Sequence, residues 1–220
     1  MPLKNVIFDL DGTLVDSLPG IEYSVDCALR DRSYPTRTCE LRPLIGPPIR
    51  NILQAVSGEA DPGALDALEA AFRVTYDSEG WTKTLLQPGA KETLSWIAGS
   101  GARNYVVTNK PRHPATRIAE RLGLPALLSE MVSPDCATPS YRSKAAMIQS
   151  LMQGDDVHAG NSLVVGDTQE DLSAAREVGM EAVIVTTGYG HFSDTRVEHC
   201  RKIQNLGELK SVIADDGGFV

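Results

Sequence analysis

Residues 6–14 read Val6-Ile7-Phe8-Asp9-Leu10-Asp11-Gly12-Thr13-Leu14, an apolar run that ends in two carboxylates just before a glycine turn. Such a run suits a buried strand. Turn and cap chemistry would account for Asp11-Gly12-Thr13, but Asp9 still lies inside the apolar stretch, where an unpaired charge is costly. In open α/β sheets ligands bind outside the carboxyl ends of the strands, so Asp9 and Asp11 stand where a site is expected.

Outward from this stretch, further strand-like runs occur at residues 105–108, 162–165 and 182–186, with a shorter one at 131–132. Between them lie residues at helical spacing: Leu94 and Ile97, Ile118 and Leu122, Ile148 and Leu151, Leu172 and Ala175. Gly99, Gly123, Gly154 and Gly179 stand where helix C-terminal caps belong. Strand and helix thus alternate from residue 86 onward, which predicts an α/β fold with a Rossmann-like parallel sheet wrapped by helices. Residues 17–85 break the rhythm. Ile21, Val25, Ala28 and Leu29 form one helical stripe, Leu65, Leu68, Phe72 and Tyr76 another, and Asp61-Pro62 reads as an N-cap and first helical residue. The expectation is a core of residues 1–16 and 86–220 interrupted by a helical cap domain of residues 17–85.

Composition narrows the function. The chain has 220 residues, 42% hydrophobic and 23% charged, with a net charge of −8, in the range of one globular domain carrying an insertion. The acidic balance, without a basic run, argues against nucleic acid. No apolar run approaches membrane-spanning length, and an acidic cluster by residue 9 argues against a signal peptide. Cys27, Cys39, Cys136 and Cys200 match neither a zinc pattern nor a disulfide framework. His113, His158, His191 and His199 also lack a zinc spacing. A cytoplasmic protein is expected, with its oligomeric state open.

Other strand ends carry chemistry too. Residues 105–108 lead into Thr108-Asn109-Lys110, where the hydroxyl and amide suit either a turn or a site. Residues 163–165 lead into Gly166-Asp167-Thr168-Gln169-Glu170-Asp171. Acidic residues favour helix N-termini, which accounts for Glu170 and Asp171 better than for Asp167. These acidic strand ends call for an offsetting cation, and Mg²⁺ suits carboxylate oxygens together with a substrate phosphate. Between Pro111 and Cys200 the only lysine is Lys144. It follows Ser143, an N-cap candidate, at the helix end that disfavours a cation; a solvated surface lysine is the alternative, and Arg142 is its rival as the core cation.

Residues 8–17 (FDLDGTLVDS), 106–111 (VVTNKP) and 166–171 (GDTQED) resemble the first, second and fourth motifs of the haloacid dehalogenase-like hydrolase superfamily, in its phosphoglycolate-phosphatase-like branch. The pattern D-x-D-G-T arises by chance on the order of 10⁻⁵ per position. The third motif departs from the pattern, since Lys144 is followed by Ala145-Ala146 rather than by a proline. The resemblance implies a Mg²⁺-dependent phosphatase acting on a small phosphorylated metabolite. Asp9 would be the nucleophile and Asp11 the general acid and base. Thr108 and Asn109 would hold the phosphoryl oxygens, and Lys144 would balance their charge. Asp9, Asp167 and the Asp11 backbone carbonyl would bind Mg²⁺, with Asp171 as ligand or orienter. Within the cap, residues 30–50 hold Arg30, Arg32, Arg37, Arg42 and Arg50 against Asp31 and Glu40, a local +3. Arg50, after Ile45-Gly46-Pro47-Pro48, resembles the end of the specificity loop and would grip a second anionic group of the substrate. A phosphomutase uses the same motifs. A phosphoryl-accepting receiver fits less well, because it carries its phosphorylated Asp alone on a middle strand and has no cap.

Overall fold

The computed structural model describes residues 3–154, 156–190, 200–215 and 218–219. His191 and His199 lie outside the described residues. The chain runs β1 (Asn5–Phe8), β2 (Val15–Asp16), α1 (Leu18–Asp31), α2 (Ile49–Ser57), α3 (Pro62–Ser78), β3 (Leu85–Leu86), α4 (Ala90–Gly99), β4 (Arg103–Val107), α5 (Arg112–Arg121), β5 (Glu130–Val132), α6 (Lys144–Gly154), β6 (Ser162–Gly166), α7 (Gln169–Glu177), β7 (Glu181–Val185), β8 (Arg201–Ile203) and α8 (Leu209–Asp215). Two compact units divide it: Met1–Val15 with Leu86–Val220, and Asp16–Leu85.

In the first unit six strands form one sheet in the order β5-β4-β1-β6-β7-β8, every neighbouring pair parallel. The α/β architecture read from the alternation is the one observed. β1 sits in the middle because it is apolar on both faces: Val6, Ile7 and Phe8 are buried, as a strand covered by helices on both sides must be. Ile7, Tyr105, Val107, Val132 and Val164 of the sheet pack with Ile148 and Leu151 of α6 and Ala175 of α7 in one core cluster. Fully burying a side chain of that size contributes about 1.5–3 kcal/mol. In the sheet β1 has β4 on one side and β6 on the other. The carboxyl ends of such neighbouring strands are where open sheets bind ligands.

Three details differ from the sequence reading. β8 is an added edge strand; of its three residues only Ile203 is buried, so no apolar run announced it. The two-residue strands β2 and β3 pair in a separate sheet and are too short for any periodicity to register. Gly123 and Gly179 do adopt left-handed φ after their helices, but Gly101, not Gly99, does so after α4. Gly99 and Gly154 instead fill the last helical positions of α4 and α6.

In the second unit α1 and α3 carry the expected stripes inward: Ile21, Val25, Ala28 and Leu29, and Leu65, Leu68, Phe72 and Tyr76, are buried. The rings of Phe72 and Tyr76 stack at 5.2 Å between centroids. Asp61 caps α3 by accepting from the Ala64 N–H at 2.8 Å, with Pro62 in the first turn. Among the described residues no helix is long and apolar enough to cross a membrane.

Candidate active site

Register places the chemistry-bearing residues. Phe8 is level with Val106 of β4 and with Val165 of β6, so the residues that follow, Asp9, Thr108 and Asp167, leave three adjacent strands at the same edge. The Asp9 N–H donates to the Val165 carbonyl at 2.9 Å and the Thr108 N–H to the Val132 carbonyl at 3.1 Å. The backbone is therefore held one residue beyond the strands, and all three side chains are buried.

Lys144 opens α6, where Ser143 Oγ accepts from the Ala146 N–H at 3.1 Å. Its ammonium donates to Asp9 Oδ1 and to Asp171 Oδ1, both at 2.6 Å. Arg142 is exposed, so the cation in contact with the carboxylates is Lys144. Burial by itself would lower the Lys144 pKa, but Asp171 and Asp9 reverse this and hold it above its ordinary value. This pairing offsets the unfavourable field of a helix N-terminus.

Asp171 uses both oxygens. Oδ1 meets Lys144, and Oδ2 accepts from the Thr168 N–H at 2.9 Å and the Thr168 hydroxyl at 2.6 Å. Thr168 and Asp171 thereby form the capping box that starts α7. Helix capping and the site share one carboxylate, which is why the expected N-terminal acidic residue is also part of the cluster.

Asp167 is fully buried. Its Oδ1 accepts from the Thr13 hydroxyl at 2.8 Å and its Oδ2 from the Tyr189 N–H at 2.7 Å. Burial raises its pKa to about 6, with Asp171 pushing the same way against these hydrogen bonds. Asp9 is also raised well above the usual carboxylate range, first by burial, with Lys144 opposing. Ligand oxygens of Asp9, Asp167 and Asp171 lie within 4.8 Å of one another. Three buried carboxylates against one ammonium leave uncompensated negative charge. The all-oxygen donor set is what a hard divalent cation requires, so the cluster can hold a divalent metal ion. The Asp11 carboxylate is outside this group; the contribution expected of Asp11 is its backbone carbonyl.

The remaining expected residues are placed as follows. Asp11 Oδ2 is 3.0 Å from Lys110 Nζ, while its Oδ1 is buried and meets no hydrogen-bond partner among the described residues. Thr108 Oγ1 accepts from the Lys110 N–H at 3.1 Å. Asn109 donates through Nδ2 to Glu170 Oε2 at 2.8 Å. Arg50 belongs to the second unit, where its guanidinium pairs with Asp66 and donates to the Pro62 carbonyl at 3.0 Å, with Glu69 at 3.7 Å. Two carboxylates of α3 thus face this one guanidinium of α2 and neutralise the positive charge expected at Arg50.

Sequence reasoning passed over two features. Lys110 follows Thr108-Asn109 directly, where a polar turn accounts for a lysine without any site. The other is the loop after β7, Thr187-Gly188-Tyr189-Gly190, which closes over Asp167. A Cβ at Gly188 would meet Asp167 Cβ at 2.2 Å, and one at Gly190 would meet the Asp167 carbonyl oxygen at 1.9 Å. Only glycine lets this backbone approach so closely. Two glycines flanking an aromatic just past an apolar strand were the available signal.

The sequence pattern of the family described as haloacid dehalogenase-like hydrolase matches residues 6–185. The chain belongs to the haloacid dehalogenase-like hydrolase family. It is 31% identical over 196 residues to the phosphoglycolate phosphatase of Pseudomonas syringae pv. tomato, covering 86% of this chain and 71% of that one. The corresponding protein of Rhodospirillum rubrum is 31% identical over 195 residues, covering 84% and 80%. Among solved structures, a predicted phosphoglycolate phosphatase from Haemophilus somnus superposes with a TM-score of 0.85 at 26% identity, covering 96% of this chain and 97% of that one. By name these relatives are phosphoric monoester hydrolases, and Asp9, Thr108, Lys144, Asp167 and Asp171 all fall within the matched span.

Proposed function

We propose that this hydrolase cleaves a small phosphate monoester through an aspartyl-phosphate on Asp9, and that phosphoglycolate, the substrate in its relatives' names, is the first to assay. The observation that carries the reading is the Asp9 carboxylate at the end of the central strand, held by Lys144 beside a second, separately placed carboxylate, Asp11. An Asp9 oxygen attacks phosphorus, and the ester oxygen leaves with the bonding electron pair and takes a proton from Asp11. Water then attacks the aspartyl-phosphate while Asp11 accepts its proton, releasing inorganic phosphate and restoring Asp9. Thr108 and Asn109 hold phosphoryl oxygens, and Lys144 offsets their charge.

Mg²⁺ held by Asp9, Asp167 and the Asp11 carbonyl would supply charge neutralisation at the phosphoryl group. Asp171, with both oxygens engaged by Lys144 and Thr168, serves as orienter. A panel of phosphate monoesters assayed for phosphate release, with wild type and Asp9→Asn in parallel, tests the reading. Release from at least one ester by wild type and less than about 1% of it by Asp9→Asn is expected for the loss of a nucleophile; appreciable Asp9→Asn turnover refutes the assignment.

A further inference from the structure

Tyr189 stands in a loop, yet its side chain is among the largest fully buried ones in the chain. Its N–H donates to Asp167 Oδ2 at 2.7 Å. Its ring lies against Gly12: a Cβ there would come within 2.8 Å of Tyr189 Cδ2 and would also overlap Asp167 Oδ2. Gly12 has a φ of +93°, a conformation that a residue with a Cβ rarely adopts. One buried residue thus touches both Asp167 and the turn that follows Asp11.

The Asp11 carbonyl belongs to the Asp11–Gly12 peptide. The N–H of that peptide donates to the Val15 carbonyl at 2.8 Å, and in a trans peptide the carbonyl then points the opposite way. The Tyr189 ring, packed on Gly12, keeps the peptide from tilting. Asp167 is gripped on both oxygens, Oδ1 by the Thr13 hydroxyl and Oδ2 by the Tyr189 N–H. The loop is itself anchored at the end of β8, where the Thr186 N–H donates to the Ile203 carbonyl at 2.8 Å and the Thr187 hydroxyl to the Gln204 carbonyl at 2.7 Å. Asp167 and the Asp11 carbonyl, both assigned above to the cation, therefore keep a fixed spacing that does not depend on the ion. Mg²⁺ demands near-ideal octahedral geometry at about 2.0–2.1 Å, whereas Ca²⁺ accepts irregular sets of oxygens at about 2.3–2.6 Å. Loss of the fixed spacing therefore costs Mg²⁺ more than Ca²⁺.

We propose that Tyr189 is a positioning residue of the cation site, and that its ring makes the cluster select a small divalent cation such as Mg²⁺ over Ca²⁺. The inference rests on the cation set given in the phosphatase reading and goes beyond it in naming the residue that sets ion choice.

The test measures Kd for Mg²⁺ and for Ca²⁺ from the rise of Tm with metal concentration in the full chain. Wild type should bind Mg²⁺ the more tightly. Tyr189→Ala should weaken Mg²⁺ by about 10- to 100-fold, as expected when the support of a ligand is removed, and should shift the Kd ratio toward Ca²⁺ by at least about fivefold. Tyr189→Phe keeps the ring and should hold the ratio within about threefold. Ile97→Ala, which opens a cavity in α4, controls for lost stability and should leave the ratio unmoved. The inference is overturned by a smaller shift in Tyr189→Ala, by an equal shift in Ile97→Ala or Tyr189→Phe, or by a wild type that favours Ca²⁺ or is stabilised by neither ion. The phosphatase reading is decided separately, by phosphate release that Asp9→Asn abolishes. A measurement on wild type alone guards against a variant that fails to fold. In the metal-free chain the Tyr189 amide should exchange its hydrogen at least about 100-fold more slowly than in an unstructured chain; faster exchange means that the loop does not hold Asp167 in advance and overturns the proposal.

Discussion

The raised Asp167 pKa makes the stability of the metal-free chain depend on pH with a defined sign. Its ordinary 3.8 is raised to about 6 in the folded chain, chiefly by burial. Between those values the folded state holds a proton that the unfolded state has released, so stability is full below pH about 4 and falls as pH rises through about 6. A difference of about two pH units at ~1.4 kcal/mol each amounts to about 3 kcal/mol. For a chain of this length that corresponds to roughly 6–12 °C in Tm. Other groups titrate in the same window, so the informative quantity is the difference between wild type and Asp167→Asn. Thermal unfolding followed by circular dichroism in metal-free buffer, in steps from pH 4 to pH 7.5, should show wild type losing about this much relative to the variant. Mg²⁺ at roughly 100 times its Kd should then return about 2.7 kcal/mol at pH 7.5, much less at pH 4.5, and little at either pH in the variant. Parallel pH profiles for the two chains, or equal Mg²⁺ stabilisation of both, would refute the reasoning that a buried, cation-seeking carboxylate sits at Asp167.

Lys144→Ala should abolish phosphate release and also cost about 3–5 kcal/mol in urea unfolding, because it leaves Asp9 and Asp171 buried without their counter-charge; exposed Arg142, changed to alanine, should move stability by no more than about 0.5 kcal/mol. If Arg142→Ala is the more damaging change in either measurement, the pairing has been misjudged. Gly190→Ala should destabilise the chain by about 1–3 kcal/mol or more, since its methyl would overlap the Asp167 carbonyl; an unchanged urea midpoint would show that the loop yields without strain. Arg50→Ala should lower Tm through loss of its links to Asp66 and the Pro62 carbonyl, yet leave the ratio of kcat/KM for phosphoglycolate to that for 2-hydroxyethyl phosphate, which lacks the carboxylate, where it was. A collapse of that ratio in a calorimetrically intact variant would restore Arg50 as the anion-recognising residue.

What could be read from the chain followed from local physics. Apolar runs at residues 6–8, 105–107 and 163–165 are strands because a parallel sheet covered on both faces needs uninterrupted hydrophobic segments. The carboxylates just past them mark the site because burying charge at a strand end is tolerated only where something offsets it. The stripes of α1 and α3 and the Asp61-Pro62 start of α3 are likewise matters of spacing and capping. β8 was illegible because an edge strand of three residues with one buried side chain carries no such pattern.

Tertiary structure alone decided which distant groups meet. Lys144 and Asp9 are 135 positions apart and Thr13 and Asp167 are 154 apart; nothing in local propensity encodes either contact. The choice between Lys144 and Arg142 turned on the direction in which the first turn of α6 projects, and the commitment of Arg50 to Asp66 on the packing of α2 against α3. The pairing of Lys110 with Asp11, and the closure of Gly188-Tyr189-Gly190 over Asp167, depend on strand order. Strand order is set by how the whole set of apolar faces is buried together, so it is a property of the assembled core and not of any one segment.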